Sequence, residues 1–255
     1  MSPAPQLSTE LATHDLHHIW VRGVDLTESA MGHYTFSEMT FLLLTGRRPN
    51  AAELALVDAV LVALVEHGLT PSAVIARVTY GLVPDSLQAA VSAGLLGVGG
   101  RVLGSMEGCA RLLEQIDATV AAGEPRADAI AHAVDAHRRT GSRLPGLGHA
   151  IHTEGDPRAA RLFALSREHG QDDRHRAILT DLATAARPHR PLLVNVTGAA
   201  AAVLLGLGIP WQLQRGFALI ARTVGLVAHV GEELERPITP AFLATIRNGH
   251  PGGQE

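Results

Sequence analysis

The stretch from residue 192 to residue 209, LLVNVTGAAAAVLLGLGI, constrains the fold of this chain more than any other segment. It would be apolar on every side of a helix, and only Asn195 and Thr197 interrupt it. It is also the one stretch that resembles a membrane span, but the other periodic segments of the chain are amphipathic. Because a helix that is apolar all round can equally be buried by surrounding helices, we interpret it as the central core helix of a soluble protein.

The rest of the sequence favours helix as well. Aromatic residues make up only 4% of the chain, Ala and Leu dominate, and no long alternating β-branched run is present. We therefore predict an all-α fold. Four capping residues or prolines predict where helices begin: Asn50, Asp85, Asp156 and Pro210. Glycines predict where two of these helices end, at Gly68 and Gly170. Residues 123–142 are predicted to form a polar helix and loop.

Composition and charge exclude several classes of protein. A chain of 255 residues is long enough for one large domain with a real core. A net charge of -4 and a pI near 6.4 argue against nucleic-acid partners and anionic membranes. The single cysteine, Cys109, excludes an internal disulfide and reads as the buried interior of a helix. The N-terminus lacks the pattern of a secretory signal, so we expect a cytoplasmic protein.

Two residues of the segment PGLGHAIHTEGDPRA, residues 145–159, suggest a ligand site. His149 follows a tight Gly-containing turn, which would hold its imidazole at the end of a loop. Arg158 lies in the first turn of the helix that Asp156 and Pro157 begin, where backbone N–H groups and the helix dipole favour an anion. A guanidinium adds bidentate pairing to a carboxylate. Most histidines are merely structural, but together these two residues indicate a carboxylate-binding site.

The long last helix contributes a second cluster. Arg222 and His229 are seven residues apart, two turns along one face, amid apolar residues. A buried arginine needs a partner, and a buried ion pair with a glutamate is the simplest explanation for Arg222 alone. Arg236, just after the helix, could by itself be an ordinary solvated residue.

Three blocks of sequence, in one order across residues 18–240, resemble the citrate synthase superfamily. The first is VRGVDLTESA followed by YTFSEMTFLLLTGRRPNAAEL, which is similar to the family's N-terminal pattern. The second, PGLGHAIHTEGDPRA, resembles the Gly-His-x-Val and Asp-Pro-Arg block. The third, ARTVGLVAHVGEELERP, resembles the Arg-x-x-Gly-x-x-Ala-His and Arg-Pro ending. The short length, together with EHGLTPSAVIARVTYG and AGLLGVGGRVLG, is most similar to stand-alone citryl-CoA lyases and the matching domain of ATP-citrate lyase.

The resemblance implies an all-α citrate synthase-like domain, with a large and a small lobe, over residues 18–240 between tails at 1–17 and 241–255. The family's loop histidine, which acts on the oxygen of the C–C bond made or broken, corresponds to His149. Its carboxylate-binding arginines correspond to Arg158, Arg222 and, from a neighbouring subunit of a homodimer, Arg236.

The same resemblance implies the ligands. They would be a CoA thioester and an oxo- or hydroxycarboxylate, with no metal and no permanently bound cofactor. We expect Asn195 to contact the substrate. We expect Gly146, Gly148 and Arg101 to lie against the CoA moiety.

Two positions depart from the family pattern. Where citrate synthases have His-Gly-Gly-Ala-Asn, with a histidine that polarises the thioester carbonyl, this chain has residues 103–107, LGSME; the lyases also lack that histidine. Where the family has Asn-Val-Asp-Gly, with an aspartate that exchanges a proton with the acetyl-CoA methyl carbon, this chain has Thr197 at the catalytic position. A threonine hydroxyl is not a general base near neutral pH.

Three hypotheses follow for the function. The first is a citryl-CoA lyase-like enzyme in which His149 takes the hydroxyl proton of the substrate, and water or another group, with Glu107 as a candidate, protonates the acetyl-CoA enolate. The second is a related enzyme that acts on a different acyl-CoA and oxoacid. The third is a non-catalytic subunit that binds CoA or a carboxylate.

Overall fold

The computed structural model describes residues 8–99, 104–149, 152–188 and 192–249. Its helices run one after another along the chain, and they are α1 (Phe36–Thr45), α2 (Ala51–Val65), α3 (Pro71–Leu82), α4 (Leu87–Leu96), α5 (Gly104–Ala121), α6 (Arg126–Thr140), α7 (Pro157–Glu168), α8 (Arg174–Ala186), α9 (Val196–Gly206), α10 (Trp211–Glu235) and α11 (Thr239–Asn248). The prediction of an all-α domain is confirmed.

A small antiparallel sheet precedes the helices and was not predicted. It consists of β1 (Ala12–His14), β2 (Ile19–Val21) and β3 (Val24–Asp25), in the order β1-β2-β3. The strands are two or three residues long, too short to show an alternating pattern in the sequence. A π-helical turn, Leu26–Ala30, follows them and leads to α1.

Local capping chemistry fixes several helix starts. Asn50 accepts a hydrogen bond from the Glu53 N–H, and the Glu53 carboxylate accepts one from the Asn50 N–H, so the predicted capping box is present. Helix α2 ends at Val65, before the predicted Gly68, because Glu66 already has an extended backbone. Helices α7 and α10 begin directly after Asp156 and Pro210, as predicted.

The prediction that Asp85 caps a helix is wrong. The Ser86 N–H donates to the Val83 carbonyl at 3.1 Å and closes a turn that contains Pro84 and Asp85. Helix α4 therefore starts at Leu87, and Ser86 is its N-cap residue without a side-chain capping bond. Proline favours the first central position of such a turn, and this preference outweighed the capping tendency of Asp85.

Helix α9 is the core helix that the apolar stretch predicted. It packs against α5, α7 and α8, and it also contacts α2 and α10. Ten of its residues, from Val196 to Leu205, are buried. Residues 192–195 are not part of the helix but lead into it as extended chain. Cys109 is fully buried inside α5, as predicted.

Helix α10 packs against α2, α3, α4 and α5, so it spans the domain from the core helices to the α3–α4 pair. Helix α11 packs on α3 and crosses residue 240, the predicted end of the domain, while β1 lies inside the predicted N-terminal tail. Within the described residues, no helix is long and apolar enough to cross a membrane.

Candidate active site

The loop that carries His149 is fixed to the start of α9. Leu147 forms an isolated antiparallel bridge with Val194, and the Gly148 N–H donates to the Leu193 carbonyl at 2.7 Å. Asn195 completes the connection, because its N–H donates to the Gly146 carbonyl at 3.0 Å and its Nδ2 donates to the Gly148 carbonyl at 2.7 Å. The imidazole of His149 therefore stands at the end of a tethered loop.

Glycine is required where this loop meets the core. Gly146 has φ +78°, and a Cβ there would collide with the Cys109 side chain and with Gly198. Gly198 lies in the first turn of α9, and a Cβ on it would run into the Gly146 backbone. These two glycines let the loop backbone touch the helix backbone, which brings His149 to the N-terminus of α9.

Three imidazoles converge in front of this loop. The ring centroid of His149 lies 4.6 Å from that of His152 and 5.6 Å from that of His67, the second residue after the end of α2. One nitrogen of each ring lies within 4.8 Å of the others, close enough to hold a transition-metal ion. The two guanidinium groups described below favour an anion at this place instead. The expectation that the site uses no metal stays a prediction.

The surroundings of His149 and His67 lower the pKa of each ring and so favour the neutral imidazole. Burial lowers the pKa of His149, and the neighbouring His152 and Arg158 lower it further against the opposing charge of Asp156. Burial also lowers the pKa of His67, with Arg158, His152 and Arg222 acting in the same direction. The His152 N–H donates to His149 Nδ1 at 3.1 Å, so the single proton of a neutral His149 ring lies on Nε2.

Arg158 is held by a buried carboxylate. Its Nε and Nη2 donate to the two oxygens of Asp156 at 3.0 and 2.9 Å. The Asp156 side chain is only 1% exposed and also accepts the N–H groups of Arg158 and Val196. Although burial raises the pKa of Asp156, these hydrogen bonds outweigh it and lower the pKa. The helix N-terminus that the sequence suggested as an anion site is therefore filled by Asp156 itself, and Nη1 of Arg158 has no hydrogen bond to a described residue.

Arg222 is a buried cation for which the described part of the chain supplies no direct partner. It is 6% exposed, and its Nη1 finds no hydrogen-bond acceptor among the described residues. No described carboxylate lies within 4.0 Å of it, so the ion pair that would explain Arg222 as a structural residue is absent there. Burial lowers the pKa of Arg222; the charge of Arg158 lowers it further, while that of Glu66 opposes the shift. Because Arg158 acts on Arg222, and both arginines act on His67, the three residues lie close enough to interact electrostatically.

His229 lies between two carboxylates, those of Glu66 and Glu232. Its Nε2 lies 3.1 Å from a Glu66 carboxylate oxygen, and its Nδ1 lies 3.6 Å from Glu232. Glu66 directly precedes His67 and accepts the His67 N–H at 2.7 Å. The contact between Glu66 and His229 therefore fixes the segment that follows α2 and contains His67.

Thr197 is buried at the start of α9, where it makes two hydroxyl contacts. Its hydroxyl donates to Asn195 Oδ1 at 2.7 Å and lies 2.8 Å from the Ser105 hydroxyl on α5. Glu107, proposed above as a proton donor, instead pairs with Arg215 of α10 at 2.7 Å. Residues two apart on a helix lie about 200° apart around its axis, so Glu107 faces away from the Ser105–Thr197 contact.

The remaining predicted residues fall elsewhere. Arg236 is exposed at the C-terminus of α10. Fourteen residues separate it from Arg222, roughly 20 Å along the helix, so within one chain it does not join the cleft. Arg101 lies outside the described residues. Gly146 makes the packing contacts given above, and Gly148 lines a cavity.

That cavity has a volume of about 590 Å³ and opens beside His149 and His152. The C-terminal end of α6 and the loop after it form its other wall, and this wall carries the basic residues His137, Arg138 and Arg143. Cavities of several hundred Å³ are the usual size for small-molecule sites. A basic rim suits phosphate groups.

Sequence reasoning missed three residues of the site. His67 was noticed only as part of a similar segment, His152 was not singled out, and Asp156 was taken for a helix cap alone. The spacing of His149 and His152 offered a signal, since both lie in one loop. His67 offered none, because 82 residues separate it from His149 and only tertiary packing joins them.

This helical fold and its histidine–arginine cleft define a member of the citrate synthase family. The family described as "Citrate synthase, C-terminal domain" matches residues 55–241, so the chain belongs to it. "Putative citrate synthase 2" of Mycobacterium tuberculosis is 30% identical over 192 residues, which cover 72% of this chain. The chain spans about half the length of that relative, 49% of which is matched.

Solved structures share the fold. The structure of citryl-CoA lyase from Hydrogenobacter thermophilus has a TM-score of 0.84 and 30% identity, and the match covers 98% of this chain and 95% of the lyase chain. Citrate synthase from Thermotoga maritima has a TM-score of 0.66 and 23% identity, over 80% of this chain and 55% of its own. The ATP citrate lyase of Methanosaeta concilii, a D541A mutant in complex with (3S)-citryl-CoA, has a TM-score of 0.78 at 16% identity, over 92% of this chain and 40% of its own.

Proposed function

We propose that this protein is a citryl-CoA lyase-like enzyme that cleaves, or in reverse forms, the C–C bond between an acetyl-CoA unit and an oxocarboxylate such as oxaloacetate. The observation that carries the proposal is Arg222, a buried guanidinium near Arg158 and the imidazoles that has no acceptor among the described residues. An unpaired buried charge is costly. A substrate carboxylate would supply its missing acceptor.

The other carboxylate contacts follow from charge and position. Arg158, oriented by Asp156, presents its Nη1 side to a second carboxylate, while the cavity beside His149 receives the thioester, with Arg138 and Arg143 near its phosphates. Gly148 lines that cavity, which supports the expectation that its backbone approaches the CoA moiety. CoA acts here as part of the substrate, with no permanently bound cofactor.

The imidazoles would act at the oxygen of the reacting carbon. With its proton on Nε2, as the bond from the His152 N–H requires, His149 would donate to that oxygen and stabilise it as a carbonyl or alkoxide. Acceptance of the hydroxyl proton by His149 Nε2 would require its ring proton to move to Nδ1, against the His152 N–H. His67, the second imidazole whose pKa is lowered, would take that proton when citryl-CoA is cleaved, and its ring contact with His149 supports this role. The C–C electrons then form the acetyl-CoA enolate, which takes its proton from water, and the hydroxide left behind takes up the proton held by His67.

A homodimer would complete the site with Arg236 of a second copy. The distance along α10 supports this assignment, because Arg236 lies roughly 20 Å from Arg222. That is too far for the two residues of one chain to contact the same substrate carboxylate. Large apolar side chains on α3, α4 and α10 are exposed in the single chain, among them Leu96 and Leu234. A light-scattering mass of one chain instead of two would exclude the shared site. We place the protein in the cytoplasm, where its free thiol would stay reduced.

The function is tested by incubating the protein with citryl-CoA and, separately, with acetyl-CoA plus oxaloacetate, and following CoA thioesters by chromatography. We expect the native protein to cleave citryl-CoA. In Arg222→Gln we expect the cleavage rate to fall about a hundredfold or more, because a hydrogen bond to a charged group is worth about 1.5–3 kcal/mol and the shorter, neutral amide cannot replace the contacts of the guanidinium with the substrate carboxylate. Arg161→Gln is the matched control, since Arg161 is an exposed partner of Glu168. Full activity in Arg222→Gln would exclude the assigned site.

A second candidate is a subunit that binds CoA and carboxylates without turnover. The Thr197 contacts favour it, because the hydroxyl hydrogen is already donated to Asn195 and the position holds no acid or base. Citrate binding by calorimetry with no turnover in either mixture would identify this function. Activity gained only in Thr197→Asp would show that the native chain has lost a catalytic group, whereas turnover by the native chain would exclude a non-catalytic subunit. A change of product with other acyl-CoA and oxoacid pairs would instead indicate altered chemistry.

A further inference from the structure

Two hydroxyls and one amide form a hydrogen-bond chain between α5 and α9. Asn195 Oδ1 accepts the N–H of Gly198 at 3.0 Å and the hydroxyl of Thr197 at 2.7 Å. Since a carbonyl oxygen can only accept, the one hydrogen of Thr197 is committed to Asn195. The 2.8 Å contact between Ser105 and Thr197 then has a single direction, with Ser105 donating and Thr197 accepting.

This series of hydrogen bonds ends at the loop that carries His149. With Oδ1 of Asn195 occupied by two donors, its Nδ2 faces the opposite way and donates to the Gly148 carbonyl at 2.7 Å. Gly148 directly precedes His149. The backbone bonds from Gly148 to Leu193 and from Asn195 to Gly146 lie on either side of this amide. The orientation of the Asn195 side-chain amide therefore connects the N-terminus of α9 to the loop that positions the His149 imidazole.

We propose that Ser105 and Thr197 are positioning residues, which lock the Asn195 amide and thereby hold the His149 loop in register with α9. The kinetic part of this inference rests on the proposed lyase function. Thr197 touches no reacting atom in this assignment and gives no proton to the enolate. The position where the family carries a catalytic aspartate has become part of the loop anchor.

The test removes the hydroxyl and keeps the shape. Hydrogen–deuterium exchange is followed by mass spectrometry on peptides covering residues 144–149 and 192–197, which contain the Gly148 and Asn195 amides. We expect Thr197→Val to speed exchange of these amides about fivefold, the effect of one lost hydrogen bond on local opening. Thr197→Ser keeps the hydroxyl and should exchange at the native rate. Ser105→Ala should give a smaller increase, because the Thr197–Asn195 bond remains.

Thr40→Val is the matched control. Thr40 is a buried helical threonine whose hydroxyl donates to the Phe36 carbonyl in α1, far along the chain from the loop. Native exchange of the loop amides in Thr197→Val would overturn the proposal. So would equal acceleration in Thr197→Val and Thr197→Ser, or in Thr40→Val, because the effect would then not depend on this hydroxyl.

Kinetics provide the second readout. With citryl-CoA we expect Thr197→Val to lower kcat about three- to tenfold while KM stays within about twofold, because the loop places His149 and the arginines are unchanged. Thr197→Ser should restore kcat. A rise in KM at native kcat would overturn the positioning role. If the native protein does not cleave citryl-CoA, the proposed function fails, and the exchange measurement still decides whether the hydroxyl chain anchors the loop.

Discussion

Replacing Asp156 by asparagine tests the arrangement of the site most directly. The Asp156 carboxylate accepts four hydrogen bonds, two on each oxygen, from three N–H groups of Arg158 and from the Val196 N–H. An asparagine side chain has one oxygen and one NH₂ group. In either orientation, two of the four donors would face another donor.

The magnitude follows from burial. An unsatisfied buried donor costs about 1–3 kcal/mol, and breaking a buried ion pair by removing one partner costs about 3–5 kcal/mol. Asp156 is 1% exposed, but Arg158 is 23% exposed and recovers part of its hydration. We therefore expect Asp156→Asn to lower the free energy of unfolding by about 3 kcal/mol, which for a chain of this length lowers Tm by roughly 10 °C.

Urea unfolding followed by circular dichroism at 222 nm measures the change. Glu168→Gln on the same helix is the matched control, because it removes the same charge from an exposed pair with Arg161, and we expect a change within about 0.5 kcal/mol. If Asp156→Asn unfolds within about 1 kcal/mol of the native protein at the same slope, Asp156 does not hold Arg158 and Val196 as described.

Three further predictions concern single positions. Arg222→Met should raise the free energy of unfolding by about 1 kcal/mol or more, because it removes a buried charge that no described residue pairs, and should abolish citrate binding in calorimetry; clear destabilisation would reveal a structural partner for Arg222. Burial raises the pKa of Cys109 to about 12, so the native thiol should resist Ellman's reagent at pH 8 and react only in urea; rapid reaction of the folded protein would contradict the burial. Gly198→Ala should cost about 1–3 kcal/mol and reduce activity, because its methyl meets the Gly146 backbone; native stability and activity would show that the loop can withdraw.

The elements that the sequence predicted well depend on neighbouring residues. The Asn50–Glu53 capping box and the start of α7 after Asp156 are contacts within a few positions, so the order of residues contains them. The burial of α9 was also predictable, because a helix without a polar face has to be surrounded. Asp85 shows where local reasoning fails. The tendency of Asp85 to cap a helix competed with the tendency of Pro84 to form a turn, and the turn formed.

The residues that the resemblance indicated, His149, Arg158 and Arg222, do lie in one neighbourhood, and their roles stay predictions. What the sequence alone determined is this set of residue types and a helical fold to carry them. Only the tertiary structure decided that His67 joins the cleft, that Asp156 fills the anion site at α7, and that Arg222 has no acceptor within residues 8–99, 104–149, 152–188 and 192–249. The physical reason is that charge compensation, desolvation and ring contacts depend on distances between segments far apart in the chain, and packing sets those distances.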